Sequence, residues 1–430
     1  MGSTPARETD EGGRIAPGDG YDLVAIRLPV VLTFAGLVAG LAAGVLLAGA
    51  DLPEWTLDSV ALVGRLWLDA LQMTIIPLVT ALLVLGLSQI VKAARAGATA
   101  RRFLLLIFAV LAGGGIFAAI VLPLLLTAFP IPDGASGFLA EVPEGTQEVP
   151  GVLDFLESLV APNIIAAAAE TTMLPLTIFF ALFAIAITRL PETQGERLLG
   201  FFHALANTML VVIGWVLRLA PAGVLALAFG VGLRSGGGAF AALAHYILVV
   251  SAMGAVILAA AYVLAATLGK GGLARFARAV LPAQAVAIST QSSLASLPAM
   301  LDSAARLGLR GSTAEFVLPL AVAIFRATSP AMNLAVALYI AALAGVEVTP
   351  AIAVAGVLVA LVISVGSVSL PGSISFVISI GPIALAMGIP IEPLALLVAV
   401  EMLPDIMRTL ANVTMNVAVA SAVDRGRDQP

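Results

Sequence analysis

Six polar or charged side chains recur near the end of this chain: Glu401, Asp405, Arg408, Thr409, Asn412 and Asn416. Around them stand Met402, Leu403, Ile406, Met407, Leu410, Val413, Met415 and Val417. At about 100° per residue the six fall on one helical face roughly 100° wide. A charge at the centre of a bilayer costs about 2.5–3.5 kcal/mol even on the mildest scale, so such groups are mostly kept to handle a substrate or an ion. Asp405 offers a carboxylate to an ammonium, and Arg408 offers a planar fork to a carboxylate. Together they match the two ends of a zwitterion. The plainer readings are a structural ion pair one turn apart for these two and bonds between helices for Thr409 and Asn412. Glu401 is placed to pair with Arg408 or to relay a proton.

The rest of the chain must hold that face inside a membrane. Of 430 residues, 60% are hydrophobic and 11% are charged, against about 25% charged in a soluble domain. This composition is that of an all-α polytopic membrane protein. There are no cysteines, so disulfides, thiolate metal sites and thiol catalysis are excluded. The two histidines, His203 and His245, are not at metal-ligand spacing and read as packing or interfacial residues. No nucleophile, base and orienting group recur together, so an enzyme is not expected. Residues 1–23 read as a disordered cytosolic tail and not as a cleaved signal.

Apolar segments long enough to span run at about 24–50, 59–91, 102–129, 153–188, 200–232 and 239–268. Two later apolar stretches, 275–307 and 350–388, are each broken in the middle by Ser- and Pro-rich runs, Ser289 to Pro298 and Ser364 to Ser373. Each half is too short to cross, so both read as re-entrant hairpins. Interrupted segments in corresponding positions point to a transporter binding site. A full span follows each hairpin, at 312–344 and 393–423, which makes 269–424 an internal repeat of hairpin and helix. Residues 425–430 form a short tail. Lys92, Arg95, Arg101, Arg102, Arg189, Arg197, Lys270, Arg275, Arg278, Arg306, Arg310, Arg425 and Arg427 fall in alternate loops. Arg234 is the one exception. The positive-inside rule therefore puts both termini and the base of the first hairpin in the cytoplasm. The second hairpin enters from the opposite face.

Several motifs, in this order and spacing, resemble the dicarboxylate/amino acid:cation symporter family, the glutamate transporter homologs. They are Leu71-Gln72-Met73-Thr74-Ile75-Ile76-Pro77-Leu78-Val79, Leu174-Pro175-Leu176-Thr177-Ile178-Phe179-Phe180 and Ala220-Pro221-Ala222-Gly223-Val224. They continue with Ser292-Ser293 and Leu297-Pro298, Leu370-Pro371-Gly372, and Asp405-Ile406-Met407-Arg408-Thr409-Leu410-Ala411-Asn412-Val413-Thr414. The resemblance implies eight transmembrane helices plus two hairpins in inverted repeats. It also implies a homotrimer in which residues 24–268 mainly build a scaffold and 269–424 the core of a transport domain that moves as an elevator. Arg408 would bind a side-chain carboxylate and Asp405 an amino group. Thr409, Asn412, Ser293 and backbone near Ser292 would complete the substrate site, and backbone near Pro371 and Gly372 would cap it. The partners expected are a small anionic amino acid or dicarboxylate and the inner (plasma) membrane bilayer; no nucleic acid is expected.

One stretch departs from the pattern. The family's N-M-D-G-T signature, in the unwound middle of its seventh helix, builds sodium sites. Counted without gaps, this chain has Phe325-Arg326-Ala327-Thr328-Ser329 there; Asn333 reaches the motif only through a gap. After N-V-T the family usually has Gly-Asp, and here Met415-Asn416 follows. Both core sodium carboxylates are missing. We expect Arg326 to stand in for a sodium ion, no metal or cofactor, and transport by exchange, uniport or proton coupling of aspartate or glutamate. Proton-coupled C4-dicarboxylate symport is the alternative, since members that move C4-dicarboxylates also carry Asn at the place of Asn416. An uncoupled channel or a non-transporting substrate sensor is the reading from another class.

Overall fold

The computed structural model describes residues 29–95, 97–132, 157, 159–235, 238–366 and 372–425. These form helices and no strand among the described residues. The first helices are α1 (Val30–Leu46), α2 (Glu54–Gln72), α3 (Ile75–Ala94), α4 (Ala98–Ala128), α5 (Ile164–Ala169), α6 (Met173–Ile187), α7 (Glu192–Arg218), α8 (Ala220–Ser235) and α9 (Gly238–Leu268). Beyond them come α10 (Gly272–Thr290), α11 (Leu297–Leu307), α12 (Gly311–Ile324), α13 (Ser329–Leu343), α14 (Pro350–Gly366), α15 (Gly372–Ala386), α16 (Glu392–Leu397) and α17 (Met402–Arg425). Six stretches are long and apolar enough to cross a bilayer: Glu54–Ala94, Ala98–Ala128, Glu192–Arg218, Gly238–Leu268, Gly311–Leu343 and Met402–Arg425. Shorter apolar helices accompany them, among them Val31–Leu46 and Pro350–Ser364. The molecule is a polytopic helical membrane protein.

Small residues set how closely the first helices approach. Gly36, Gly40 and Gly44 recur every fourth residue along α1, which packs along α8. A Cβ on Gly40 would lie 2.4 Å from the Leu225 carbonyl oxygen, and one on Gly44 would lie 2.4 Å from that of Phe229. Only glycine permits that backbone contact, which replaces hydrophobic drive as the source of helix association in lipid. α2 meets α8 differently: Gly223 faces the Trp67 ring, with 2.3 Å left for a Cβ, while Trp67 Nε1 donates to the Val216 carbonyl of α7 at 3.0 Å.

The later helices surround α17. α10 and α11 pack on each other and on α17, and α9 and α12 flank it. Phe276, Ala283, Met300, Leu307, Val317, Ile324, Ala411 and Val417 share one apolar core with Ile107 of α4 and Ala261 of α9. From Ala411 to Asp424 α17 is buried throughout. A helix buried all round needs its polar groups satisfied by neighbours. At its far end Asp424, with no exposed side-chain surface, binds Lys270 Nζ at 2.7 Å and Arg310 Nε at 2.8 Å. Arg425 Nη1 donates to the carbonyls of Thr267 and Gly269, both at 3.0 Å. The α9–α10 loop, the α11–α12 loop and the end of α17 thus meet on one side of the protein.

Four breaks were not expected as breaks. The segment 59–91 is interrupted at Met73 and Thr74, 153–188 is interrupted at Glu170 to Thr172, 200–232 is divided at Leu219, and 393–423 is divided between Val398 and Glu401. The last matters most. Pro404 has no N–H for the preceding turn, so a helix begins near it but does not run through. Glu401 therefore lies in the turn ahead of α17, not within the helix as its spacing suggested.

Candidate functional site

Two chain breaks face one another at the site. The first separates α12 from α13: the helix ends at Phe325, which is extended with φ −121° and ψ 114°. Helix resumes at Ser329 with Pro330 in its first turn. The non-helical residues are Phe325, Arg326, Ala327 and Thr328, the first four of the five positions where the ungapped count set the altered motif. Buried backbone must find partners. Asn412 of α17 supplies one, its Oδ1 accepting from the Thr328 N–H at 2.9 Å and from Thr328 Oγ1 at 3.1 Å. Asn412 thereby fastens α17 to the broken helix.

The second break sets Glu401 and Asp405 at the start of α17, where the positive end of the helix dipole favours carboxylates. Arg408 reaches back to both. Its Nη2 donates to Glu401 Oε1 at 2.6 Å, and its Nε lies 3.5 Å from Asp405 Oδ1. Its Nη1 donates to Asn333 Oδ1 at 2.6 Å, and Asn333 Nδ2 donates to Ser329 Oγ at 2.9 Å. Tyr246 Oη of α9 donates to Glu401 Oε2 at 3.4 Å. Relative exposure is 1% for Glu401, 6% for Asp405 and 7% for Arg408. Arg326, half-buried in the first break, interacts electrostatically with Asp405 and with Arg408. Two guanidinium groups and two carboxylates thus form one buried cluster.

Thr409 is buried beside these groups. Ser292 spends its hydroxyl on the turn at the hairpin tip, accepting from the Ala295 N–H at 3.2 Å. That tip, opened by Gln291 with φ 49°, leaves Ser293 half-buried. Pro371 lies outside the described residues, and Gly372 is the first residue of α15. Sequence reasoning missed Tyr246 and gave Asn333 no role in the site. An Asn inside an apolar helix one turn past the break was the available signal for the latter; nothing marked Tyr246.

The side chains at the first break offer sodium few ligands. Sodium is a hard cation that takes oxygen ligands, carboxylates among them. Phe325 and Ala327 offer no side-chain oxygen, Arg326 is itself a cation, and the Asn412 oxygen is already bonded to Thr328. Asn416 keeps a buried amide whose nitrogen and oxygen have no hydrogen-bond partner.

The model of the sodium:dicarboxylate symporter family matches residues 30–426. The chain belongs to that family. Its members and the relatives of this chain are transporters, not enzymes. The chain is 25% identical over 397 residues, 91% of each sequence, to a proton/sodium-glutamate symport protein of Bacillus subtilis (strain 168). It is 27% identical to a neutral amino acid transporter B(0) of Bos taurus, over 94% of this chain and 81% of that one. It is also 27% identical to C4-dicarboxylate transport protein 1 of Pseudomonas aeruginosa (strain UCBPP-PA14), over 68% of this chain and 67% of that one. The family thus covers several substrate classes, and the choice among them rests on the site's own residues.

Proposed function

We propose that this chain is a secondary transporter of acidic amino acids, aspartate or glutamate, that works without sodium. The buried cluster of Asp405 and Arg408 at the start of α17 carries the reading. Arg408 suits a side-chain carboxylate, which a neutral amino acid lacks. Asp405 suits an ammonium, which a plain dicarboxylate lacks, and an unpaired carboxylate beside a dianion would be costly. The substitution of Phe325, Arg326 and Ala327 for a sodium-ligating motif supports sodium independence, with Arg326 supplying beside Asp405 the positive charge an ion would bring. Family membership supports an elevator motion of the α10–α17 core against a trimeric scaffold. The basic loops support an inner-membrane protein with both termini in the cytoplasm.

The test is uptake of labelled aspartate, glutamate and succinate by proteoliposomes. Both amino acids are expected to accumulate and succinate to be excluded; uptake of succinate alone would favour the C4-dicarboxylate reading, which Asn416 and the Pseudomonas relative support. Asp405→Ser is expected to shift preference from aspartate toward succinate. A variant that leaves the ratio unchanged removes Asp405 from the ammonium site.

A further inference from the structure

Far from the buried cluster, positive charge gathers where the α3–α4 loop meets the end of α6. Lys92, Arg95, Arg101 and Arg102 fall within eleven residues, and no acidic residue stands between Asp69 and Asp133. Arg95 Nη2 donates to the Thr188 carbonyl at 3.3 Å. That bond joins the end of α3 to the end of α6 and brings Arg189 to the same corner. All five side chains are exposed, and among the described residues none of them forms an ion pair. Other basic residues of the loops are paired, Lys270 and Arg310 with Asp424 and Arg306 with Asp302. The carboxylates nearest in sequence, Glu192 and Glu196, stand on α7 beside Arg197. Like charges held together without a counter-charge repel, and an anion from outside relieves them.

The surface beside the cations selects the anion. On α4, Leu105 and Phe108 follow Arg101 by one and two turns on the same face. Both are exposed, Leu105 at 74%, and they lie in a stretch long and apolar enough to span. On α6, Leu182 and Ile185 precede Arg189 by two turns and one, and both are exposed, Leu182 at 63%. An exposed apolar strip that begins at a guanidinium and runs into the membrane matches the head and chains of a lipid. A phosphate free in water would use the cations alone. The guanidinium fork fits a phosphate better than an ammonium does. We propose that this corner binds anionic phospholipid, with the headgroup phosphate on Arg101 and Arg102 and the acyl chains along Leu105 and Phe108. Lys92, Arg95 and Arg189 raise the local potential that draws the headgroup in. The site is independent of which substrate the buried cluster takes.

Thermal melts of the purified full chain in neutral detergent micelles, titrated with dioleoyl phosphatidylglycerol, test the site. The melting temperature is expected to rise and saturate, to respond little to dioleoyl phosphatidylcholine, and to lose the response as salt is raised. Near a membrane surface each basic side chain strengthens the attraction to anionic lipid about fivefold. Arg101→Gln is therefore expected to raise the phosphatidylglycerol needed for half the effect about fivefold, and the double variant Arg101→Gln/Arg102→Gln about 25-fold. Arg278→Gln, at an exposed position on α10, should leave that amount unchanged. An equal rise with phosphatidylcholine, or with inorganic phosphate in place of lipid, overturns the headgroup site. So does an Arg278→Gln variant weakened as much as Arg101→Gln, because the attraction is then diffuse. Melts without lipid show whether the variants fold; if Arg101→Gln does not, Lys92→Gln carries the same expectation, and the two wild-type lipid titrations stand on their own.

Discussion

Arg408 and Arg326 are both arginines in the membrane core, yet they do different work. Arg408 makes directed bonds to Glu401 and Asn333, whereas Arg326 acts on Asp405 through its charge. A lysine at 408 keeps the charge and loses the fork. Charge-assisted hydrogen bonds are worth about 1.5–3 kcal/mol, so Arg408→Lys should weaken aspartate binding by roughly 10- to 150-fold in an equilibrium titration. Arg326→Met removes the stand-in cation while keeping an apolar stem of similar length. Aspartate affinity is expected to fall in the same titration, because Asp405 then faces the substrate with one positive charge fewer; unchanged affinity would take Arg326 out of the site.

The helices that carry these residues were legible to different degrees. Hydropathy outlined the hairpin arms α10, α11, α14 and α15, because an apolar run broken by Ser, Gly and Pro has one economical reading in lipid. The break at Phe325 to Thr328 fell where an ungapped count put it. Residues that fill both ends of a break with apolar sequence were harder to read. Glu401 looked helical because its spacing to Asp405 and Arg408 fits a helix, while the stop is imposed by Pro404, three residues on. Asn333 and Tyr246 join the site through packing between helices far apart in sequence, which periodicity does not report. Element packing yields its own test. Gly40→Val would drive a side chain into the Leu225 carbonyl of α8, so α1 must separate from α8. A thermal melt of the purified chain should show destabilisation of about 1–3 kcal/mol; an unchanged melt would mean that this contact is not close in the membrane.

Across the whole molecule, the buried cluster of charges sits where α9, α13 and α17 converge, and Asp424 ties two loops to the other end of α17. Removing that anchor by Asp424→Asn leaves Lys270 and Arg310, both partly exposed, without their carboxylate. With solvent screening the expected loss is about 1–2 kcal/mol of stability, read in a melt, with aspartate affinity little changed. The same architecture frames the central claim, that an acidic amino acid crosses the membrane in a protein whose sodium ligands have been exchanged for Phe325, Arg326, Ala327 and Asn416. Initial rates of labelled aspartate uptake by proteoliposomes, with external sodium replaced by choline at constant ionic strength and pH, test it most directly. Equal rates in the two buffers are the predicted result; uptake that requires sodium would contradict it.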